Sequence, residues 1–297
     1  MNGRVICVGT VTVDLVMYVF EPAISPIKYR ASSSRLVAGG GGLIASMTVA
    51  RLGGHAKLAG AIGEDAFGSL VRETLRSENV ATELLVEHHD VPTSRSTVLV
   101  TPDGERTIVN DRDDKLRKSK LRLAGVLFDA VLADTRWPEG AEQALRVAKD
   151  QGKPGVVDAE APVKLAEAAL KLASHVAFSE QGLEDFSGQS DPLEGLKFAA
   201  TELNAWVCVT RGPLPVMCCH GAESYEVPAF SVKTVDTLGA GDAWHGAFAL
   251  GLARGLVERD AVRQANAVAA IKTTATGVPD SLPDEARLQD FLKESNE

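Results

Sequence analysis

The stretch VDTLGAGDAW, residues 235–244, decides the fold expected of this chain. The alternating apolar run at residues 229–235 predicts a strand that leads into the stretch. The apolar run of small residues at 243–253 predicts a helix that follows it. The glycines of the stretch therefore fall where a strand gives way to the N-terminus of a helix.

The small residues Gly239, Ala240 and Gly241 allow a ligand to approach the backbone closely. Their N–H groups lie at a helix start, which is a natural site for an anion. Asp242 follows at once. A carboxylate beside an anion cradle suits a general base that deprotonates a hydroxyl while the cradle holds a phosphoryl group. The alternative is a plain helix cap.

Composition limits the function classes. The chain has 297 residues, 45% hydrophobic and 24% charged, which fits one large α/β domain or two smaller ones. The net charge is −9 without a dense basic cluster, so we expect no nucleic-acid partner. The chain lacks an 18-residue apolar run, so we expect no membrane partner. Four cysteines without metal spacing, and no signal-peptide pattern at the N-terminus, favour the cytoplasm.

Two features near the N-terminus are candidates for ligand binding. Asp14 follows the apolar run at residues 4–9, and ligands of open α/β sheets bind beyond the carboxyl ends of strands. Asp14 is thus a candidate for binding ligand hydroxyls, with a turn or cap as the alternative of near-equal weight. The glycine run 39–42, with Gly40 and Gly41 at its centre, indicates close contact between backbone and ligand.

The same glycines permit a second interpretation. Gly40, Gly42 and Ala45 satisfy G-x-G-x-x-A, a form of the dinucleotide-binding fingerprint, which leaves an oxidoreductase open. The fingerprint belongs in the first strand–helix turn, however, and here about thirty residues separate it from the first strand. The pattern of a P-loop is missing from the sequence.

The order of strands and helices predicts the fold class. Strand–helix alternation argues for an α/β fold with a doubly wound, mainly parallel sheet, helices on both faces, and a small inserted β-sheet that serves as a lid. We assign residues 1–10, 37–88 and 113–297 to the α/β core, and residues 11–36 and 89–112 to the lid. The exposed edge of the lid would allow pairing with a second copy, so a homodimer is expected.

The motif at residues 236–242 resembles the D-T-x-G-A-G-D signature of the ribokinase-like (PfkB) carbohydrate kinases, and the match is complete. The resemblance implies an ATP-dependent kinase that uses Mg²⁺, with Asp242 as catalytic base and Gly239 to Gly241 as anion hole. Thr210 and Gly212 are similar to the T-x-G of the family on the nucleotide side.

Two further residues are predicted on the nucleotide side. Ser179 stands where many members carry the Asn of N-x-x-E, and Gly182 stands where they carry its Glu, a motif tied to Mg²⁺ and phosphate. This departure leaves the ligands of the metal unknown. Asn266, on a helix of small residues, could border the adenine or be a plain surface amide.

The segments I-K-Y, G-E-R-T-I-V-N, V-L-A-D-T-R-W and H-V-A-F-S-E-Q-G-L closely resemble the 6-deoxy-6-sulfofructose kinases. The resemblance implies phosphorylation at O1 of that sulfosugar. It also implies that Lys28, Asn110 and Arg136 bind the sulfonate and that Asp14 binds sugar hydroxyls. A kinase of the same fold that acts on fructose 6-phosphate, tagatose 6-phosphate or another sugar is the alternative.

Overall fold

The structure is a computed structural model that describes residues 2–295. Positions 1, 296 and 297, at the ends of the predicted core segments, lie outside the described residues. The strands, in chain order, are β1 (Arg4–Val8), β2 (Thr12–Val19), β3 (Ala31–Gly39), β4 (His55–Gly63), β5 (Ala81–His88), β6 (Arg95–Val100), β7 (Arg106–Asp111), β8 (Ala130–Asp134), β9 (Gly155–Ala159), β10 (His175–Ser179), β11 (Trp206–Arg211), β12 (Leu214–His220) and β13 (Glu223–Val227).

The helices, in chain order, are α1 (Gly41–Arg51), α2 (Ala66–Ser77), α3 (Pro138–Asp150), α4 (Glu167–Leu170), α5 (Glu180–Ser187), α6 (Pro192–Leu203), α7 (Ala240–Ala253), α8 (Glu258–Thr273) and α9 (Glu285–Glu294), with short 3₁₀ turns at Leu116–Lys118 and Val163–Ala166. Side-chain caps define several helix starts. The Asp65 carboxylate accepts a hydrogen bond from the Gly68 amide at α2, and Asp191 caps α6 just before Pro192. Both caps satisfy amides that a helix start leaves without intrahelical partners.

The large sheet has nine strands in the order β13-β12-β11-β10-β9-β8-β1-β4-β5. Its strands run parallel except at β12 and β13, which pair antiparallel at one edge. The chain builds outward from β1 through β4 to β5, and then builds the other way from β8. In open α/β sheets, ligands bind at such a reversal, beyond the carboxyl ends of the strands.

Helices cover both faces of this sheet. Val5 and Cys7 face a core formed with α1, α7 and α8, while Ile6 and Val8 face a core formed with α3, α5 and α6. Burial on both faces explains why β1 reads as an unbroken apolar run. All four cysteines are buried and free, as expected of small core residues.

The small sheet has the order β3-β2-β6-β7, and only its β2–β6 pair is parallel. Side chains alternate between its two faces because successive residues of a strand point in opposite directions. Its inner face turns Asp14, Ser96 and Asn110, which lie in register, toward the main cavity. Its outer face carries an apolar set: Leu15, Met17, Leu36, Leu99 and Val109.

Several predicted elements differ from the structure. Residues 229–235 are not a strand, because β13 ends before Pro228, which lacks an N–H donor, and the chain then runs to the end of α8, where Val235 and Asp236 donate to the carbonyl of Thr273. The serine-rich segment after Arg30, for which no strand was predicted, belongs to β3. The helix expected from 243 begins at Ala240, which brings Asp242 into its first turn.

Within residues 2–295, no helix has both the length and the apolar character that crossing a membrane requires.

Candidate active site

A cavity of about 520 Å³ lies between the carboxyl edge of the large sheet and the inner face of the small sheet. Its lining brings together most of the residues predicted for the sugar and the transferred phosphoryl group. These are Asp14, Gly40, Gly41, Asn110, Arg136, Gly239, Gly241 and Asp242.

The glycines on the floor of the cavity are required by close backbone packing. Gly40 has φ 97°, and a Cβ there would lie 2.3 Å from the carbonyl oxygen of Thr10. A Cβ on Gly41 would lie 3.0 Å from Oδ1 of Asp242. Side chains at these positions would therefore displace the backbone or crowd the carboxylate.

The turn into α7 forms the predicted anion site. Gly239 precedes the helix with φ 77°, a left-handed conformation that favours glycine. Gly239 and Gly241 line the cavity, whereas the Ala240 amide donates back to the carbonyl oxygen of Thr237 at 3.2 Å. Amides of the first helical turn have no intrahelical acceptor, and this helix end opens into the cavity. Of Gly239, Ala240 and Gly241, Ala240 therefore contributes least to the anion site, because its amide is already bonded within the turn.

Asp242 lies in the first turn of α7 and lines the cavity. Burial, together with the neighbouring carboxylates of Asp158 and Glu160, raises the pKa of Asp242 to about 7. A general base works best with a pKa near the working pH, so these surroundings suit proton transfer.

The carboxyl end of β9 places further carboxylates beside Asp242. Oδ1 of Asp158 lies 3.1 Å from Nε2 of His245, and both side chains are buried. Although burial opposes it, Asp158 raises the pKa of His245 and favours the imidazolium. Asp158 in turn raises the pKa of Glu160, and burial adds to this effect. Sequence reasoning missed His245, although its place one helical turn after Asp242 could have pointed to it.

Two arginines, Arg112 and Arg136, also line the cavity. The Arg136 amide donates to Oδ1 of Asp134 at 2.9 Å, and its guanidinium lies 3.3 Å from Oε2 of Glu160. Arg112 donates to Oδ1 of Asn110 at 3.4 Å, while its buried Nε has no hydrogen-bond partner among residues 2–295. Burial and the nearby Arg136 lower the pKa of Arg112, although the carboxylates of Asp134 and Asp14 oppose this change.

Arg112 is the main site residue that the sequence analysis missed, because a single arginine after a strand reads as a surface charge. Asn110, also predicted, accepts a hydrogen bond from Ser96 Oγ at 2.9 Å. Lys28 is not brought to these residues. It is exposed in the loop between β2 and β3 and does not line the cavity of its own chain. The predicted convergence of all three side chains therefore holds only for Asn110 and Arg136.

The residues predicted for the nucleotide lie beside the cavity rather than in its lining. Ser179 and Thr210 are in register at the carboxyl ends of β10 and β11. Ser179 Oγ caps α5 by accepting from the Gly182 amide at 3.0 Å. Gly212, with φ 57°, forms the turn between β11 and β12. These residues continue the strand edge that carries the carboxylates.

Asn266 is not a surface amide, because the structure buries it between helices. Its Oδ1 accepts from Trp244 Nε1 at 2.7 Å, and its Nδ2 donates to the carbonyl oxygen of Pro228 at 2.9 Å. These bonds connect α8 to α7 and to the segment after β13. The side chain thus has a packing role that the prediction of an adenine contact did not include.

The carboxylates permit a test of whether Mg²⁺ fits. Within residues 2–295 no three acidic, histidine or cysteine side chains form a group that could hold a metal by themselves. Mg²⁺ in phosphoryl-transfer sites needs only one or two carboxylates, because substrate phosphates and water complete its shell. Asp158 and Glu160 both line the cavity and lie next to each other, and Asp158 also forms the ion pair with Nε2 of His245. This donor pair fits Mg²⁺ bound together with phosphates.

A family comparison decides the class of the protein. Residues 2–285 match the model of the pfkB family carbohydrate kinases. The chain belongs to this family. It is 29% identical over 264 residues to the ribokinase of Mus musculus, covering 82% of this chain and 81% of that protein. It is 26% identical over 298 residues to the fructokinase of Vibrio alginolyticus, covering 86% and 91%.

Solved structures agree with the fold. A ribokinase-designated protein of Agrobacterium tumefaciens superposes with a TM-score of 0.94 at 30% identity, covering 99% of this chain and 98% of that one. The ribokinase of Thermotoga maritima gives 0.84 at 24% identity, covering 98% and 99%. The predicted fold class and the predicted enzyme class, a carbohydrate kinase, are confirmed. The alternative of a dinucleotide-binding oxidoreductase is wrong, since the glycine run follows a strand of the small sheet and lines the cavity of a kinase.

Proposed function

We propose that this kinase transfers the γ-phosphoryl group of ATP to O1 of 6-deoxy-6-sulfofructose, giving 6-deoxy-6-sulfofructose 1-phosphate. One observation carries the proposal: the same cavity is lined by a carboxylate base in the first turn of α7 and by the guanidinium groups of Arg112 and Arg136. A sugar that spans this cavity would present a hydroxyl to Asp242 and an anionic group to Arg112 and Arg136. The solved structure of Arabidopsis thaliana ribokinase with ribose and ATP has the same fold, with a TM-score of 0.82.

The chemical step follows from the residues at the α7 end. Asp242 takes the proton of O1, and O1 then forms a bond to the γ-phosphorus of ATP while the bond to the bridging oxygen breaks and ADP leaves. Amides at the start of α7 bind the charged phosphoryl oxygens during transfer. Mg²⁺, when bound, would neutralise charge on the ATP phosphates, and Asp158 and Glu160 are the residues that would hold it.

The sugar hydroxyls would be bound by the small sheet. Asp14 lines the cavity and lies in register with Ser96, on the same inner face as Asn110. Burial raises the pKa of Asp14, although a hydrogen bond from Ser96 opposes the change. Hydroxyl groups of a bound sugar would give this half-buried carboxylate the donors that it lacks.

The charges around Arg112 and Arg136 favour a sulfonate over a phosphate. Arg112 and Arg136 together carry two positive charges, and Glu160 lies 3.3 Å from Arg136. The carboxylates of Asp134 and Asp14 also act on Arg112, so these surroundings oppose a second negative charge and favour a sulfonate monoanion over a phosphate dianion. A neutral sugar would leave the buried Nε of Arg112 without a partner, and leaving a buried donor unsatisfied weakens binding.

A panel of acceptors with ATP and Mg²⁺ tests the proposal. We expect kcat/KM for 6-deoxy-6-sulfofructose to exceed the values for fructose 6-phosphate, tagatose 6-phosphate, ribose and fructose by at least about 10²-fold, roughly the effect of one charged hydrogen-bonded contact. A preference for either phosphosugar would favour the alternative of a phosphosugar kinase. A preference for ribose or fructose would remove the anion-binding role of the arginines.

We also propose that two copies associate through the small sheet. The outer face exposes Leu36 and Val109, which are 49% and 65% accessible, beside the partly buried Leu15, Met17 and Leu99. A continuous apolar sheet face of this kind, bounded by the exposed edge strands β3 and β7, suits a self-complementary interface.

A further inference from the structure

Lys272 is an unusual member of the core, because its side chain is fully buried in the last turn of α8. Its ammonium donates to the backbone carbonyl of Asp236 at 3.0 Å and lies 3.5 Å from Oδ2 of the same residue. Lysine is almost never fully buried unless it is paired. The ammonium group therefore interacts with Asp236, and Lys272 itself does not line the cavity.

Asp236 joins two loops that border the cavity. Its Oδ1 accepts from the amide of Leu238 at 2.9 Å, and its Oδ2 accepts from the amide of Gly277 at 3.0 Å. Leu238 directly precedes Gly239, where the turn into α7 begins. Leu238, Gly239 and Gly277 all line the cavity. The position of the anion site thus depends on one carboxylate that both loops share.

We propose that Lys272 is a positioning residue for phosphoryl transfer: it acts as an internal cation that holds Asp236, and through Asp236 it fixes the amides at the start of α7. Because the ammonium is buried, salt screens it little, and it also adds positive potential behind the anion site. The proposal concerns the phosphoryl end of the cavity and stands whichever sugar is the substrate.

The carboxylate has a second cationic neighbour, which the proposal must distinguish from the first. Arg106 of β7 lies 3.8 Å from Oδ1 of Asp236 and donates to Oγ1 of Thr237. Arg106 belongs to the small sheet, whereas Lys272 belongs to the core beneath the loops. Only Lys272 contacts the backbone carbonyl of Asp236 as well as its carboxylate.

The first experiment replaces Lys272 by methionine, which keeps most of the volume and removes the charge. With the acceptor that the unmodified enzyme uses best, we expect kcat to fall about 10²-fold, the usual loss when an anion-site donor is displaced. KM for the sugar should change less than about threefold, since its contacts lie elsewhere. Lys233→Met, at an exposed position of the segment before Asp236, is the matched control and should leave both constants unchanged.

Chemical rescue distinguishes a positioning role of Lys272 from a role in the stability of the fold alone. Lys272→Ala should regain at least about tenfold in kcat with added ammonium or methylammonium chloride, and tetramethylammonium chloride at equal ionic strength should give no recovery. A kcat of Lys272→Met within about threefold of the unmodified enzyme would overturn the proposal, as would equal activity of Lys272→Ala in all three salts.

Amide hydrogen exchange gives a readout that needs no sugar. In Lys272→Met we expect residues 236–241 and 277 to exchange at least about tenfold faster, while the strands of the large sheet keep their protection. Unchanged exchange at 236–241 would overturn the proposal even if no acceptor in the panel is phosphorylated. If Lys272→Met does not fold, Lys272→Ala is refolded in ammonium chloride or in tetramethylammonium chloride. A higher kcat after refolding in ammonium supports the proposal, and an equal kcat in the two salts overturns it.

Discussion

Asp242 must lose its proton before it can act as a base, and its buried surroundings hold that proton strongly. Because the pKa of Asp242 is raised to about 7, its carboxylate is largely protonated below this pH and ionised above it. We therefore expect kcat/KM for the sulfosugar to rise with pH up to about 7 and then to level off. The sulfonate does not titrate in this range, so the rising limb of the profile reports the ionisation of a group on the enzyme.

The variant Asp242→Asn gives the control for this profile. It should lose at least about 10²-fold in kcat, the usual contribution of a general base, and its residual activity should lack the rising limb. Binding of ATP, measured by calorimetry, should stay within a few-fold of the unmodified enzyme. A profile of the unmodified enzyme that is flat between pH 6 and 8 would contradict the assignment of the base.

Arg112 and Arg136 can be tested by comparing their effects on the two substrates. Replacing either arginine by methionine removes a charged hydrogen-bond donor, worth roughly 1.5–3 kcal/mol, so KM for the sulfosugar should rise about 10- to 10²-fold. KM for ATP should change little. Arg146→Met provides a control, because Arg146 pairs with Glu142 at an exposed site on α3 and does not line the cavity. Equal increases for ATP and sugar would point to a general disturbance of the fold.

At the scale of elements, α5 packs closely against the end of β9 at Gly182. A Cβ on Gly182 would lie 2.0 Å from the carbonyl oxygen of Ala159, so the first turn of α5 packs directly against the end of β9. Any side chain at this position would push the helix away from the strand that carries Asp158. The glycine at position 182 is therefore required by close packing.

Gly182→Ala measures this packing. Alanine favours a helix over glycine by about 1 kcal/mol, whereas overpacking costs about 1–3 kcal/mol and here involves backbone atoms on both sides. We expect the clash to dominate and the free energy of unfolding in urea to fall by about 1–2 kcal/mol. Gln181→Ala, at the exposed neighbour, should be close to neutral. An unchanged or higher stability of Gly182→Ala would show that α5 can shift without loss.

Strands and helices with a clear apolar periodicity could be predicted from the sequence. Elements that depend on pairing with a distant part of the chain could not. The strands and helices from Ala130 onward follow apolar runs, and most of them alternate as the sequence predicts. The strand β3 was missed because its serines face solvent and only the pairing with β2 makes it a strand. Residues 229–235 alternate like a strand, but they pair with no other strand in the part of the chain that the structure describes.

The same distinction holds for the site. Asp242 and the glycines were predicted because they are consecutive in the sequence and have a recognisable order. Arg112 and Lys272 were not predicted, because their roles come from neighbours that are distant in the sequence. Arg112 comes near Arg136 only through the fold, and Lys272 comes near Asp236 only where the end of α8 lies beside the loop before α7.

At the scale of the whole molecule, the outer face of the small sheet should govern assembly. We expect a dimer in sedimentation equilibrium, and we expect Val109→Asp combined with Leu36→Asp to give monomers, because two buried carboxylates at an apolar interface would lack partners. Leu165→Asp changes an exposed leucine on the turn before α4 and should leave the dimer intact. A monomeric unmodified protein at micromolar concentrations would contradict the proposed interface.

The alternation along the small sheet has a consequence for how its strands can change during evolution. Inserting or deleting a single residue within β2 or β7 would exchange the two faces downstream, so that Leu15 or Val109 would enter the substrate chamber and Asp14 or Asn110 would leave it. Insertions or deletions of two residues, or changes confined to residues 102–104 at the tip of the hairpin between β6 and β7, would keep each side chain on its present face. Length variation among functional descendants of this protein should therefore accumulate at the tip and be even-numbered within these strands.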